Sequence, residues 1–339
     1  MGSVKGKQNM IIIVALAALV VIFTLLNPNF IGRYNIVSMA QSLAPYAILG
    51  LGVTFVIATG GIDLSIGTVC IASAVIAGKL YMVGMPLWAT IPVMIVIGTI
   101  FGLINGLLVA KLKLPAFIAT LGTMMFSRGL SALLVSIPNI FFPNGTWFNK
   151  VFSNANGIPT GLIWVVFFAL ICMYLMYKCK IGRYILSIGS NEEATRLSGI
   201  NTDKYKVIAY TIGGMSAGIA AIFWAASFST VAAATGNGME LDAIAGVYIG
   251  GTSAAGGVAS IAGSVIGNAM LVVIRSGLNF VLARFNLNLN STYVTYVLTG
   301  IIVVVAVLMD VLKNKNAGKV KPVKEKKAAK AKSASANIQ

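Results

Sequence analysis

The chain has 339 residues, of which 58% are hydrophobic and 10% charged, and it contains no histidine. A water-soluble domain cannot bury that much apolar surface, so the composition predicts an all-α integral membrane protein. The net charge of +17 comes from basic residues at the ends of apolar segments. This placement follows the positive-inside pattern and argues against a nucleic-acid partner. With no histidine and three scattered cysteines, we expect the chain to bind no metal.

Apolar runs recur from residue 10 to residue 311 and predict about ten transmembrane helices, of which the eighth is short. The runs cover 10–26, 43–59, 64–83, 88–110, 115–136, 160–177, 206–228, 242–256, 258–283 and 292–311. The first run is followed by Asn27-Pro28-Asn29 and not by a small-residue cleavage site. This indicates a retained span rather than a signal peptide.

The basic loops favour one orientation, in which both termini are cytoplasmic. It places the polar segment 178–206 and the lysine-rich C-terminus on the same side of the membrane. We therefore expect a cytoplasmic N-terminus over 1–9, a transmembrane domain over 10–311 and a disordered basic cytoplasmic tail over 312–339. The tail can also contact anionic lipid headgroups.

Glycines four residues apart occur in several runs, as at Gly98 and Gly102 and at Gly263 and Gly267. Small residues at this spacing let helix backbones approach closely in a bilayer. The sequence around the first pair is also similar to that around the second. The similarity predicts two related halves, spans two to five and seven to ten, as in transporters whose pathway lies between repeats.

Polar residues inside or between the runs are the candidates for a translocation path. Asp63 lies between the second and third runs, where it can cap the third helix or mark a gate. Arg275 lies well inside the ninth run and can either extend to the interface or face an aqueous cavity. Asn105, Thr120 and Asn279 can hydrogen-bond a polar solute or a neighbouring helix.

The glycine-rich segment 250–257 invites comparison with a phosphate-binding loop. It contains no lysine and lacks the Gly-Lys-Ser/Thr ending that such loops require. We therefore interpret it as a tight re-entrant turn, and we expect ATP, if it drives this protein, to bind another chain.

A short helix is predicted within the polar segment 178–206. Ser190 and Glu193 have the spacing of a capping box, and Gly199 can adopt the left-handed conformation that ends a helix. A helix of about two turns is too short to persist without packing partners. Ala194 and Leu197 offer apolar contact, which indicates docking to a soluble partner.

Several segments, in order along the chain, resemble the permease subunit of ribose-, galactose- and xylose-type ABC sugar importers. They are 60–67, 114–123, 182–200, 240–253 and 277–279, and the resemblance extends over 10–311. It implies a paired permease in a bacterial inner membrane, two cytoplasmic ATPases that bind ATP and Mg²⁺, and an extracytoplasmic sugar-binding protein. It also implies that the short helix couples to the ATPase. The coupling residues are then Ser190, Asn191, Glu192, Glu193, Ala194, Arg196, Leu197 and Gly199.

The resemblance leaves the solute open. Arg275 and Ser276 stand where the family often has two asparagines, so the solute can differ from ribose. A ribose-like pentose or a galactose-like hexose is the main expectation, with a nucleoside or a furanone-type signal as alternatives. An ion-coupled secondary transporter is the rival class, but only Asp63 is suitably placed for proton coupling. A membrane-embedded hydrolase would lack a general base.

Overall fold

The structure is a computed structural model that describes residues 2–134, 139–232, 235–285, 293–301, 304, 305 and 308, without the side chains of 2–9. The described residues are predominantly helical, as the composition predicts. The α-helices are α1 (Gly2–Leu26), α2 (Arg33–Ala58), α3 (Ile66–Met82), α4 (Leu87–Ala110), α5 (Ala116–Leu134), α6 (Trp147–Phe152), α7 (Thr160–Tyr177), α8 (Lys180–Ser190), α9 (Glu192–Leu197), α10 (Thr202–Phe228), α11 (Met239–Ile249) and α12 (Ile261–Arg284). A 3-10 turn at Pro28–Ile31 joins α1 to α2, and residues 293–301 are also helical.

Six of these helices, namely α2, α4, α5, α7, α10 and α12, are long and apolar enough to cross a membrane. The apolar helices Met10–Leu26 and Ile66–Met82 are shorter. Where the eighth run is predicted, the structure has α11, whose 11 residues make about half of a membrane crossing. The tail 312–339 and part of the run 292–311 lie outside the described residues. A count of about ten spans therefore stays a prediction.

Two helices begin eight or more residues earlier than the apolar runs predict. Helix α1 starts at Gly2, and α2 starts at Arg33 although its apolar run starts at residue 43. The first turns of α2 carry Asn35, Ser38 and Ser42, which line an internal cavity. A search for apolar runs does not detect these turns, because their polar side chains lower the local hydropathy although they face the cavity rather than lipid.

Helix α10 lies at the centre of the bundle and packs most extensively against α4 and α2. A Cβ atom on Gly98 would lie 2.5 Å from the Gly218 nitrogen, and one on Gly214 would lie 2.5 Å from the Gly102 nitrogen. The predicted close approach of helices at paired glycines is thus confirmed. The second predicted glycine pair, on α12, packs against α11 instead of α10. The proposed relationship between two halves stays a prediction.

The two ends of α10 identify two ends of the bundle. Its first residue, Thr202, follows α9, and its last, Phe228, precedes strand β2 (Thr230–Ala232). Strand β2 pairs antiparallel with β1 (Asn139–Phe141), with Ile140 opposite Val231. A helix of 27 residues is about 40 Å long, so α9 and the β-ribbon lie on opposite sides of the bilayer. We call these the α9 end and the ribbon end.

The orientation can be tested with one cysteine at each end of the bundle. Glu193 and Lys150 are both exposed, the first on α9 and the second on α6 near the ribbon. In intact cells, an impermeant thiol reagent should label Lys150→Cys and leave Glu193→Cys unlabelled, because the basic loops retain the α9 end in the cytoplasm. Inverted vesicles provide the control and should reverse the pattern. Labelling of Glu193→Cys from outside would contradict the orientation.

Candidate functional site

Asp63 belongs to a buried hydrogen-bond network in the loop between α2 and α3. Its Oδ1 accepts from the Ser65 backbone N–H at 2.9 Å and from the Ser65 hydroxyl at 2.6 Å. Asn105 on α4 donates to the Ser65 hydroxyl at 2.8 Å and accepts from Thr123 on α5 at 2.5 Å. The network ties the loop to two helices, and it stabilises the backbone one residue ahead of α3.

The structure brings Asp63 and Asn105 together but uses both in bonds between elements. Thr120 is also buried, and its hydroxyl donates to the Ala116 carbonyl within α5 at 2.8 Å. None of these three predicted path residues lines the two cavities around Arg275 described below. The sequence predicts that Asn105 bonds either a solute or a neighbouring helix, and the structure shows the bond to a neighbouring helix. A direct contact of the three with a solute stays a prediction.

Arg275 forms an ion pair inside the bundle. Its Nη2 donates to Asp242 Oδ2 at 2.5 Å, and its Nη1 donates to the Tyr46 hydroxyl at 2.9 Å. The guanidinium carbon also lies 5.2 Å from the centroid of the Tyr46 ring, within the range of a cation–π contact. The Thr299 hydroxyl bonds the same carboxylate. Arg275 therefore points into the bundle and does not extend to the interface, and its contact with a solute stays a prediction.

Two cavities adjoin this ion pair. The larger, of about 320 Å³, reaches the size range of small-molecule sites, and the smaller has about 220 Å³. Tyr46, Arg275 and Asn279 line both cavities, so these side chains separate them. The other polar residues on the larger cavity are Asn35, Ser38, Ser42 and Ser276. Its aromatic wall includes Trp224 and Phe228, whose ring centroids lie 4.4 Å apart.

Sequence reasoning did not identify Asp242 or Tyr46 as site residues. Asp242 lies in the first turn of α11, where an acidic residue is expected simply to cap the helix. Arg275 could have indicated this role for Asp242, because an arginine within a membrane span requires an anionic partner. Tyr46 follows Pro45, which removes one backbone N–H from α2. The Ser227 hydroxyl donates to the Gln41 carbonyl, four residues before that proline, at 3.4 Å.

The short helix α9 forms as predicted, but its cap differs by one residue. Asn191, in extended conformation, is the N-cap, and its side chain accepts from the backbone N–H three residues on at 2.9 Å. Ser190 is the last residue of α8, and its hydroxyl donates to the Leu186 carbonyl. The predicted capping box of Ser190 and Glu193 is therefore wrong, because Ser190 has helical backbone geometry. The left-handed conformation predicted for Gly199 is confirmed by a φ of +80°.

Helix α9 is held against α10 by charge and leaves its apolar side chains exposed. Glu192 accepts from Lys206 at 2.6 Å and pairs with Arg196 on its own helix. Partial burial would raise the pKa of Glu192, but the hydrogen bond and charge of Lys206, with Arg196, outweigh it and lower that pKa. Leu197 is 81% exposed, and Ala194 is exposed as well. This face is available to a partner.

Six helices long and apolar enough to cross a membrane, packed beside a polar cavity, are what a multi-pass membrane transport protein requires. The chain belongs to the family described as branched-chain amino acid transport system permease components, which matches residues 35–307.

Curated relatives extend over most of the chain. It is 36% identical over 303 residues to the ribose import permease of Haemophilus influenzae, covering 88% of this chain and 91% of that protein. It is 35% identical over 278 residues to the fructose import permease FruF of Bifidobacterium longum, covering 78% of each chain. The D-allose permease of Escherichia coli K12 is 32% identical over 302 residues, covering 88% of this chain and 90% of its own. No solved structure matches.

The ion pair makes a testable contribution to stability. Asp242→Ala leaves the Arg275 charge without its carboxylate, and loss of one partner of a buried pair costs about 3–5 kcal/mol. The purified variant should unfold at a lower temperature than the wild type. Replacing both partners, as Asp242→Leu with Arg275→Met, should recover most of this loss because no unpaired charge remains. A double variant less stable than Asp242→Ala would contradict this account.

Proposed function

We propose that the chain is the membrane-spanning permease subunit of an ATP-driven importer. It provides the translocation path for a monosaccharide, either a ribose-like pentose or a galactose-like hexose. The observation that carries the proposal is the polar, charge-balanced cavity beside Arg275 in a member of this permease family. The names of its relatives, which refer to ribose, fructose and D-allose, support a sugar as the solute.

The chemistry of the cavity suits a neutral, polyhydroxylated solute. The positive charge of Arg275 is balanced by Asp242, so the site offers hydrogen bonds without a net charge. Serine hydroxyls and the amides of Asn35 and Asn279 can donate to or accept from sugar hydroxyls. The ring of Trp224 can pack against the C–H face of a sugar. An ordinary hydrogen bond contributes about 1 kcal/mol, so such a site binds weakly enough to release its solute.

The position of the cavity supports import from the ribbon end. It is lined by Asn35, near the start of α2, and by Phe228, the last residue of α10, both at that end. Arg275 lies 14 residues after the start of α12, about 21 Å from the α9 end. We infer that an extracytoplasmic binding protein delivers the sugar at the ribbon end, and that both chain termini are cytoplasmic.

Helix α9 is the proposed contact with cytoplasmic ATPase subunits, which bind ATP and Mg²⁺. The ion pairs of Glu192 fix the helix to this chain, while Leu197 faces outward. A second copy of the permease completes the transporter. Lipid covers apolar side chains that are exposed on the outer helices, such as Trp88, Leu133 and Ile163.

A nucleoside is the second candidate solute. Trp224 and Phe228 form an aromatic wall that can stack against a base as well as against a sugar ring. Competition between ribose, galactose and a nucleoside for uptake by the reconstituted complex distinguishes the candidates.

The cavity can be tested by removing one polar side chain from it. Asn279→Ala should lower sugar uptake several-fold per assembled complex, because it removes a hydrogen-bonding group from both cavities. Ser131→Ala is the matched control, since Ser131 is buried in α5 and its hydroxyl donates to the Ser127 carbonyl. Uptake is measured in proteoliposomes with the ATPase and binding protein. Equal uptake by Asn279→Ala and the control would contradict a solute contact.

The ATPase contact can be tested at Leu197. Because this side chain is exposed, Leu197→Asp should leave the thermal stability of the isolated permease unchanged. A carboxylate placed in an apolar interface should instead reduce copurification of the ATPase at least about tenfold. Leu197→Met keeps an apolar side chain of similar size and should retain the complex. Wild-type recovery of the ATPase with Leu197→Asp would exclude this face as the docking site.

A further inference from the structure

The glycine-rich segment 250–257 contacts both the end of α2 and Ser190, the last residue of α8. The Gly257 N–H donates to the Ala58 carbonyl at the end of α2 at 3.0 Å. Gly256 and Gly257 have φ angles of +84° and +75°, which L side chains rarely adopt. The segment is thus a tight turn, as predicted, and it is pinned to the α9 end of the bundle.

Four glycines from three chain segments meet there backbone to backbone. A Cβ atom on Gly256 would lie 2.7 Å from the Gly60 nitrogen, and one on Gly257 would lie 2.5 Å from the Ser190 hydroxyl. A Cβ atom on Gly189 would overlap the Gly257 nitrogen and the carbonyl that accepts its bond. We call Gly60, Gly189, Gly256 and Gly257 the glycine joint.

The glycine joint links α9, the proposed contact with the ATPase, to α11, which carries Asp242 on the smaller cavity. Gly189 lies two residues before Asn191, the N-cap of α9. The turn at Gly256 follows α11. The first turn of α11 carries Asp242, which lies about 12 Å from Gly250 along the helix axis. Asp242 in turn pairs with Arg275 between the two cavities. Contacts between backbones leave no flexible side chain to absorb a displacement, so movement of one segment moves the next.

We propose that the glycines of this joint are positioning residues for transport. A displacement that the ATPase imposes on α9 passes through Gly189 to the turn 256–257 and then to α11. Helix α12 packs on α11 through backbone contacts of the same kind, at Gly246 and Gly267. Asp242 and Arg275 therefore move together, and the wall between the two cavities shifts. The proposal rests on the proposed function, because it requires an ATPase at α9 and a solute in the cavity.

The decisive variant is Gly189→Ala, which wedges a methyl group into the joint without requiring a left-handed backbone. In the full complex with ATPase and binding protein, the amount of sugar taken up per ATP hydrolysed should fall at least about fivefold. About fivefold is the low end of the effect that one coupled site typically has on another. The matched control is Gly129→Ala in α5, where an added Cβ meets no atom within 4 Å. The control should retain the wild-type ratio. A wild-type ratio in Gly189→Ala overturns the proposal.

A second measurement does not depend on how Gly189→Ala folds. Ser187 on α8 and Val258 after the turn line the same groove of about 510 Å³. In a Cys179→Ser background, Ser187→Cys and Val258→Cys are bridged in the assembled complex with a short bifunctional methanethiosulfonate. If the joint moves as one unit, uptake continues at the rate of the single-cysteine controls treated with the same reagent. Reversible loss of uptake in the bridged protein alone shows that the segments slide and overturns the proposal.

The two hypotheses fail in different ways. A wild-type complex that neither hydrolyses ATP with the binding protein nor takes up sugar refutes the proposed function. A wild-type complex that does both, together with wild-type coupling in Gly189→Ala, refutes only the role of the glycine joint.

Discussion

The charge of Arg275 is the constraint on which the arrangement of the central helices depends. A guanidinium inside a membrane-spanning helix is costly unless the protein supplies its partners. Here the partners come from two other elements, Tyr46 on α2 and Asp242 on α11. Satisfying one side chain therefore fixes the relative positions of three helices. It also explains why α11, too short to cross the bilayer, starts inside the bundle.

The buried network around Asp63 follows the same rule. Asp63 accepts from Ser65, and Asn105 joins this pair to Thr123 on a neighbouring helix. In a bilayer each polar group needs such a partner, since water is not available to replace it. The contacts of α4 with α10 provide the complementary part of the fold, in which Gly98 and Gly102 let backbones touch. Polar bonds and close glycine contacts thus act together in fixing the helices relative to one another.

The features that depend on local sequence could be predicted. Apolar length identifies the six long membrane-spanning helices, glycine spacing identifies positions where helix backbones approach closely, and Gly199 adopts the predicted left-handed conformation. Features that depend on tertiary contacts could not be predicted from the sequence. Nothing local distinguishes Asp242 as the partner of Arg275, 33 residues away, from a helix-capping residue. The wrong prediction of a capping box at Ser190 has a related cause. The spacing of a capping box does not reveal that Ser190 already belongs to the preceding helix, α8.

The balance between Arg275 and Asp242 has a consequence for how substrate preference evolves in such a protein. The costly charges of the site are satisfied by the protein itself, and the solute is not needed to neutralise them. Residues around the ion pair, such as Ser38 and Asn279, can then be exchanged one at a time for other uncharged side chains. In the proposed sugar site, each exchange would alter which hydroxyl pattern fits while the helices stay in register. A scaffold built in this way can diversify among sugars by small, independent steps.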